Sequence, residues 1–298
     1  MKKIIALAVI ALVFLTPAAK AWAGEQPILQ APSDYKVTEV ATVPNATSFA
    51  LSREAGSQAK PDQSLTGAKT SAGKKHKLKN FYIHTPYFIN LSSVKNNIYH
   101  GSIAVIREEL ERGSLLGCRA ITTHLGSFGD MTDKEGLEKV AKAVAKIMDG
   151  YEGSTQLTLE ISAGAGRIVG DQFEEIAAIL EDKRLTKYDI GVCFDSCHAF
   201  TAGYDLRTPA TVEKTLKQFD KIIGFEKLVF MHANDSKAEF GKHLDRHENI
   251  GQGYIGLEGF KALAQHKVLG KLDWILETPK DNPKDDPKNI AVLKKLAK

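Results

Sequence analysis

Cysteine is scarce in this chain, and the little there is follows no redox or thiolate pattern. The 298 residues hold three, Cys118, Cys193 and Cys197. An odd count cannot close a disulfide framework. The Cys193-x3-Cys197 spacing is not the Cys-x-x-Cys of thioredoxin-type sites, and no second pair completes a four-thiolate zinc site. No Gly-x-Gly-x-x-Gly follows a strand, which argues against a dinucleotide-binding sheet; "SAGAGRIVG" is glycine-rich without that spacing. Excess charge is missing too. The formal charge is +4, and the first 23 residues carry three lysines and no acid, so their removal leaves +1. Overall basicity is therefore no argument for a nucleic-acid partner.

The same 23 residues carry a signal of their own. A basic start (Lys2, Lys3), an apolar run from Ile4 to Leu15 and Ala21-Trp22-Ala23 form the pattern of a cleavable secretory signal. The run is short for a membrane span. Export to the periplasm or medium is expected, with no stable membrane association after cleavage. Residues 24–80 read as a divergent N-terminal region ending in a connector. Between Lys60 and Lys79 six lysines face one acid, Asp62, among Gly, Ser and Thr, which reads as a flexible, solvated linker.

From Phe81 to the C-terminus at 298 the chain repeats one unit. Short β-branched or aromatic runs each end in a metal-capable residue: "FYIH" at His84, "RAITTH" at His124, "QLTLE" at Glu160, "DIGVCFD" at Asp195, "KLVFMH" at His232 and "DWILE" at Glu277. The intervals, 40, 36, 35, 37 and 45 residues, fit one strand and one returning helix. Amphipathic stretches such as "SIAVIREELERGSLLG" and "GLEKVAKAVAKIMDG" lie between them. "RTPATVEKTLKQF" opens with Thr208 as N-cap and Pro209 at the first helical position. Alternation of this kind predicts parallel strands with right-handed crossovers. Six such units fit an α/β fold of the TIM type, a (β/α)8 barrel, better than an open sheet. The first one or two β/α units are atypical or degenerate: "NATSFALSRE" is a candidate second strand and "YKVTEVATV" a weak first one.

The last residue of a barrel strand sits on the C-terminal rim, where this fold builds its sites. Three carboxylates and three imidazoles converging there need compensation, because buried uncompensated charge is strongly destabilising. A divalent cation supplies it, and a mixed nitrogen and oxygen donor set suits zinc, with manganese or iron as substitutes. Three loop residues add a second set: His198, three positions after Asp195, and the pair Asp245-x-His247 in the long segment "HANDSKAEFGKHLDRHENIGQG". His76, His100, His243 and His266 have no such placement. Cys193 shares strand parity with Asp195 and is expected to pack one layer below; Cys197 is expected beneath the loop.

"HTPYFINLSS", "THLGS", "LEISAGAG", "GVCFDSCHAFTAGYDLRTP", "MHANDSKAEFGKHLDRHENIGQGYIG" and "ILETP" resemble endonuclease IV, the zinc-dependent apurinic/apyrimidinic endonuclease (deoxyribonuclease IV) family. The resemblance runs from Phe81 to Pro279. It implies three zinc ions: one on His84, His124 and Glu160, a second on bridging Glu160 with Asp195, His232 and Glu277, and a third on His198, Asp245 and His247. It further implies hydrolysis of duplex DNA 5′ to an abasic site, leaving a 3′-hydroxyl and a 5′-deoxyribose phosphate. Glu277 would orient or deprotonate the nucleophile, with Glu160 shared between two ions. Tyr87 matches a position at the DNA interface, and Lys237 and Arg246 are candidate phosphate contacts. The chain departs from the family at Phe128, where a histidine is usual, at Ile161-Ser162, where Asn-Thr is usual, and throughout the region before His84. A monomer acting on double-stranded DNA with abasic sites is expected, and that activity belongs in the cytoplasm, in conflict with the signal-like start. Two other readings stand beside it. A barrel sugar isomerase or epimerase needs only Glu160, Asp195, His232 and Glu277 around one or two divalent ions. An exported metal-binding protein without DNA activity needs only the metal site.

Overall fold

Seven short runs of β-branched and aromatic residues line up side by side, every neighbouring pair parallel. The computed structural model describes residues 80–298 and the strand Ser48–Leu51. The signal-like segment, the weak strand "YKVTEVATV" and the lysine-rich connector before Asn80 lie outside the described residues. The strands are β1 (Ser48–Leu51), β2 (Asn80–His84), β3 (Ala120–Thr123), β4 (Gln156–Glu160), β5 (Gly191–Asp195), β6 (Leu228–His232) and β9 (Trp274–Ile275), paired in that order. A two-stranded antiparallel piece, β7 (Asp235–Ser236) with β8 (His247–Glu248), is set into the long loop after β6. The expected strand in "NATSFALSRE" is β1, in parallel register with β2.

Between the strands run α1 (Asn96–Leu116), α2 (Asp133–Met148), α3 (Phe173–Leu180), α4 (Ser196–Ala202), α5 (Pro209–Ile222), α6 (Gly256–Gln265) and α7 (Asp285–Leu296). Thr132 caps α2 in a reciprocal box with Glu135, satisfying donors that the first turn leaves open. Thr208 caps α5 with Pro209 behind it, as the sequence implies. No helix among the described residues is long and apolar enough to cross a membrane.

Side-chain parity separates two interiors. Phe81, Ile83, Ile121, Leu157, Leu159, Val192, Phe194, Met231 and Trp274 point outward against the helices and form the main core. The opposite faces point into the barrel and are mixed, with polar residues such as Thr122 and Thr158 buried among apolar ones below the charged rim. Two residues below the rim, Tyr82, Cys193, Phe230 and Ile275 join Ala120 in a separate inner cluster. Deeper still, Asp273 accepts hydrogen bonds from Asn80 and from the Tyr82 hydroxyl, the latter at 2.6 Å. The inner floor is filled, so the rim above it is the open end.

One expectation is corrected. His198 is not in a loop: it lies in the first turn of α4, whose N-cap is the strand-ending Asp195. Asp195 Oδ1 accepts the His198 backbone N–H at 2.8 Å, so the chain passes from strand to helix with no intervening residue.

Candidate metal centre

The strand ends bring the six rim residues together, and α4 and the β6–α6 loop deliver the other three. Donor atoms of His84, His124 and Glu160 all lie within 4.8 Å of one another, as do those of Glu160, Asp195, His232 and Glu277, and those of His198, Asp245 and His247. All nine expected ligands are thus in three groups, the first two sharing Glu160. The imidazoles form one arc: ring centroids are 5.8 Å apart for His232 and His84, 5.2 Å for His84 and His124, 5.5 Å for His124 and His198, and 5.4 Å for His198 and His247.

Backbone carbonyls fix which nitrogen of several rings faces inward. A carbonyl oxygen only accepts, so Nδ1 of His84, 2.6 Å from Thr85 O, carries the hydrogen, as do Nδ1 of His198 on Ile161 O (3.0 Å) and Nδ1 of His247 on Glu277 O (3.1 Å). Nε2 then faces the carboxylates: 3.0 Å from Glu160 for His84, and 3.2 and 3.1 Å from Asp245 for His198 and His247. This is the ring setting a metal-ligating histidine requires. His232 is turned the other way, its Nδ1 lying 2.9 Å from Glu160 and 3.1 Å from Glu277.

Charge balance without a cation falls to protons. Burial opposes a charged imidazolium at His84, His198 and His232, yet neighbours outweigh it and raise all three: Glu160 and Glu277 at His84, Asp195, Asp245 and Glu160 at His198, and Cys193, Glu277 and Glu160 at His232. His247 rises to about 9, burial again opposed by Asp245 and Asp195. Burial works against ionised Glu160 and Glu277 too, yet His232, His124 and His84 hold Glu160, and His232, His84 and His247 hold Glu277, below the usual carboxylate range. His124 differs: burial lowers it, and its buried Nδ1 has no hydrogen-bond partner. A neutral imidazole with a buried, unpaired nitrogen fits a metal ligand, as does a donor set of five imidazoles and four carboxylates.

The cysteine sulfurs border these groups, Cys193 within 4.8 Å of donor atoms of Glu160 and His232 and Cys197 within 4.8 Å of those of Asp195 and His247. Cys193 is fully buried, and burial pushes its thiol up to about 12. Cys197 is buried in α4, its Sγ 3.5 Å from Arg246 O. Both thiols keep their protons and act as packing.

Residue-type reasoning missed Asn234. Its Nδ2 donates to Asp195 Oδ2 at 2.6 Å and its Oδ1 accepts the Glu277 backbone N–H at 2.8 Å, joining two candidate ligands from different strands. Asn289 in α7 was missed as well; it accepts from Ile250 N–H at 2.9 Å and donates to Thr278 Oγ1 at 3.0 Å, tying the rim loop to the segment after Glu277. The departure Phe128 is buried beneath the Arg167 guanidinium, 5.6 Å from its ring centre. Ser162 Oγ donates to Val169 O at 2.9 Å and so closes its own loop. Tyr87, Lys237 and Arg246 stand exposed on rim segments.

A family profile described as a xylose isomerase-like TIM barrel matches residues 57–296. A relative called probable endonuclease 4 from Methanosphaerula palustris is 42% identical over 219 residues, 72% of this chain and 76% of the relative. Another from Aquifex aeolicus is 38% identical over 225 residues, 74% of this chain and 79% of its own. The crystal structure of endonuclease IV from Thermus thermophilus superposes with a TM-score of 0.69 at 29% identity, covering 84% of this chain and 89% of that one.

Proposed function

This chain belongs to the endonuclease 4 family of xylose isomerase-like TIM barrels, and from that premise we propose that it is a zinc-dependent hydrolase that cuts duplex DNA 5′ to abasic sites. The products are a 3′-hydroxyl and a 5′-deoxyribose phosphate, the ends that base excision repair handles. The carrying observation is the third group, His198, Asp245 and His247. A sugar isomerase or epimerase needs only the strand-end set and leaves these three without work.

The donor chemistry supports three zinc ions, on His84, His124 and Glu160; on Glu160, Asp195, His232 and Glu277; and on His198, Asp245 and His247. Bound zinc supplies Lewis acidity toward phosphate oxygens and brings water ionisation near neutral pH, at about 7 against 15.7 in bulk. The chain does the rest. Glu277, oriented through its backbone by Asn234, presents Oε2 at the centre of the strand-end set and takes the proton of the attacking water. Asp195 is held by the Asn234 amide and cannot swing out. The third group lies toward solvent, with Asp245 half-exposed, where the leaving 3′ oxygen departs. Tyr87, 70% exposed, Lys237 and Arg246 meet the DNA from the rim.

Zinc analysis of the purified chain and an incision assay on a duplex carrying one abasic site test this together. At least two zinc ions per chain and a single cut 5′ to the lesion are expected; fully metallated protein that leaves the duplex intact would sink the reading. Glu277→Gln should abolish incision while retaining most of the metal. Unchanged incision would remove the proton-handling role from Glu277.

A further inference from the structure

Asp235 belongs to none of the ligand groups, yet its side chain is fully buried at the foot of the loop that carries two ligands. Its Oδ1 accepts backbone N–H groups of Ser236 at 2.8 Å, Ile255 at 3.0 Å and Gly256 at 3.5 Å. Its Oδ2 accepts those of Gly251 at 2.8 Å, Gly253 at 3.1 Å and Gly256 at 3.3 Å. One carboxylate thus gathers most of the backbone amides of "GQGYIG", residues 251–256. The glycines make this possible. Gly251 and Gly256 have φ of 82° and 74°, in the left-handed region. A Cβ on Gly253 would sit 2.4 Å from Ser236 O and 2.6 Å from Asp235 Oδ1, so backbone packs directly onto the carboxylate.

What this wrap holds follows from the strand pairing beside it. Asp235 and Ser236 pair with Glu248 and His247, and the Lys237 N–H donates to Arg246 O at 2.8 Å. Tyr254 N–H donates back to Ser236 O at 2.9 Å. The chain leaves the barrel at His232, runs out through 237–246, returns through His247 and is tied down at 251–256. Seven ligands are fixed by strand ends or by α4; Asp245 and His247 alone depend on this excursion.

We propose that Asp235 is a positioning residue, a carboxylate clamp whose amide shell sets the place of Asp245 and His247. That the residues so placed complete a zinc site rests on the function proposed above; the clamp itself does not. Substituting Asn keeps one acceptor oxygen and turns the other into an NH2 facing amide N–H groups, so half the shell is lost.

The test uses the full chain with Asp235→Asn and, independently, Gly253→Ala, which forces the same shell apart while leaving the carboxylate's own chemistry unchanged. Hydrogen exchange is followed by peptide, with zinc content and the kcat and KM of incision measured alongside. Exchange across residues 243–256 should rise by roughly tenfold or more while β4, β5 and β6 stay protected. One zinc equivalent should be lost, and kcat should fall about 10- to 100-fold, the usual range for a residue supporting a ligand, with KM less affected. Wild-type exchange across 243–256 in both variants overturns the clamp, and so does a rise spread evenly over the barrel strands, which marks a merely structural role. If Asp235→Asn does not fold, Gly253→Ala decides alone. A wild-type chain that binds no zinc or leaves abasic duplex uncut defeats the proposed function, while the exchange comparison still reads the clamp.

Discussion

Asn234 does with one amide what two residues would otherwise share: it restrains the Asp195 carboxylate and orients the Glu277 backbone. Asn234→Ala should therefore lower incision by about 10- to 100-fold with the fold intact, as loss of a ligand's supporting hydrogen bond typically does. Near-wild-type kcat in the folded variant would refute that role. The grouping of the nine candidate ligands was legible because each is a metal-capable residue type at a strand end or in the segments beside one. Asn234, Asp235 and Asn289 were not: Asp235 meets only backbone N–H groups, which nearly every residue carries, and the two asparagines each join a backbone N–H to side chains of distant segments. No residue-type pattern marks such a contact; only the fold brings Asp235 to amides some twenty positions away.

The short elements were the hardest to read, and α4 explains why. Seven residues are two turns, too few for a hydrophobic period, and all seven are buried. Asp195 gave the one hint, since an aspartate is a good N-cap as well as a ligand. α3 is nearly as short and has no side-chain cap. It is held by packing: Phe173 is fully buried and stacks on Tyr204 at 3.7 Å between centroids, with Phe219 edge-on at 5.3 Å. Phe173→Ala should cost about 3–5 kcal/mol, whereas removing the exposed cap of α2 with Thr132→Ala should cost only about 1 kcal/mol. Urea unfolding of the two variants measures the contrast, and equal losses would contradict it.

Across the whole molecule, the rim is a store of opposed charges that protons balance when metal is withheld. The raised histidines contribute stability in full below their ordinary value of 6.5 and lose it as pH climbs, for His247 through about 9. Glu160 and Glu277, held low, contribute above 4.5 and lose it as pH falls. His124, lowered, favours the higher side of 6.5 but stands alone. Chelator-treated protein should thus melt highest at roughly pH 5–6 and lower steadily from there to pH 9, by the linkage of protonation to folding. Saturating zinc should abolish that decline, because the metal takes the place of the protons; a decline of equal steepness with zinc would show that the rim is not where the metal binds. The alternating parity of the strands has a consequence for how such a gene can change. One codon gained or lost inside β6 would put Met231 or Ala233 where His232 stands and turn its inward layer outward. The helices and loops between strands already differ in length, from 35 to 45 residues per repeat. Insertions and deletions are therefore tolerable between strands and lethal to the site within them.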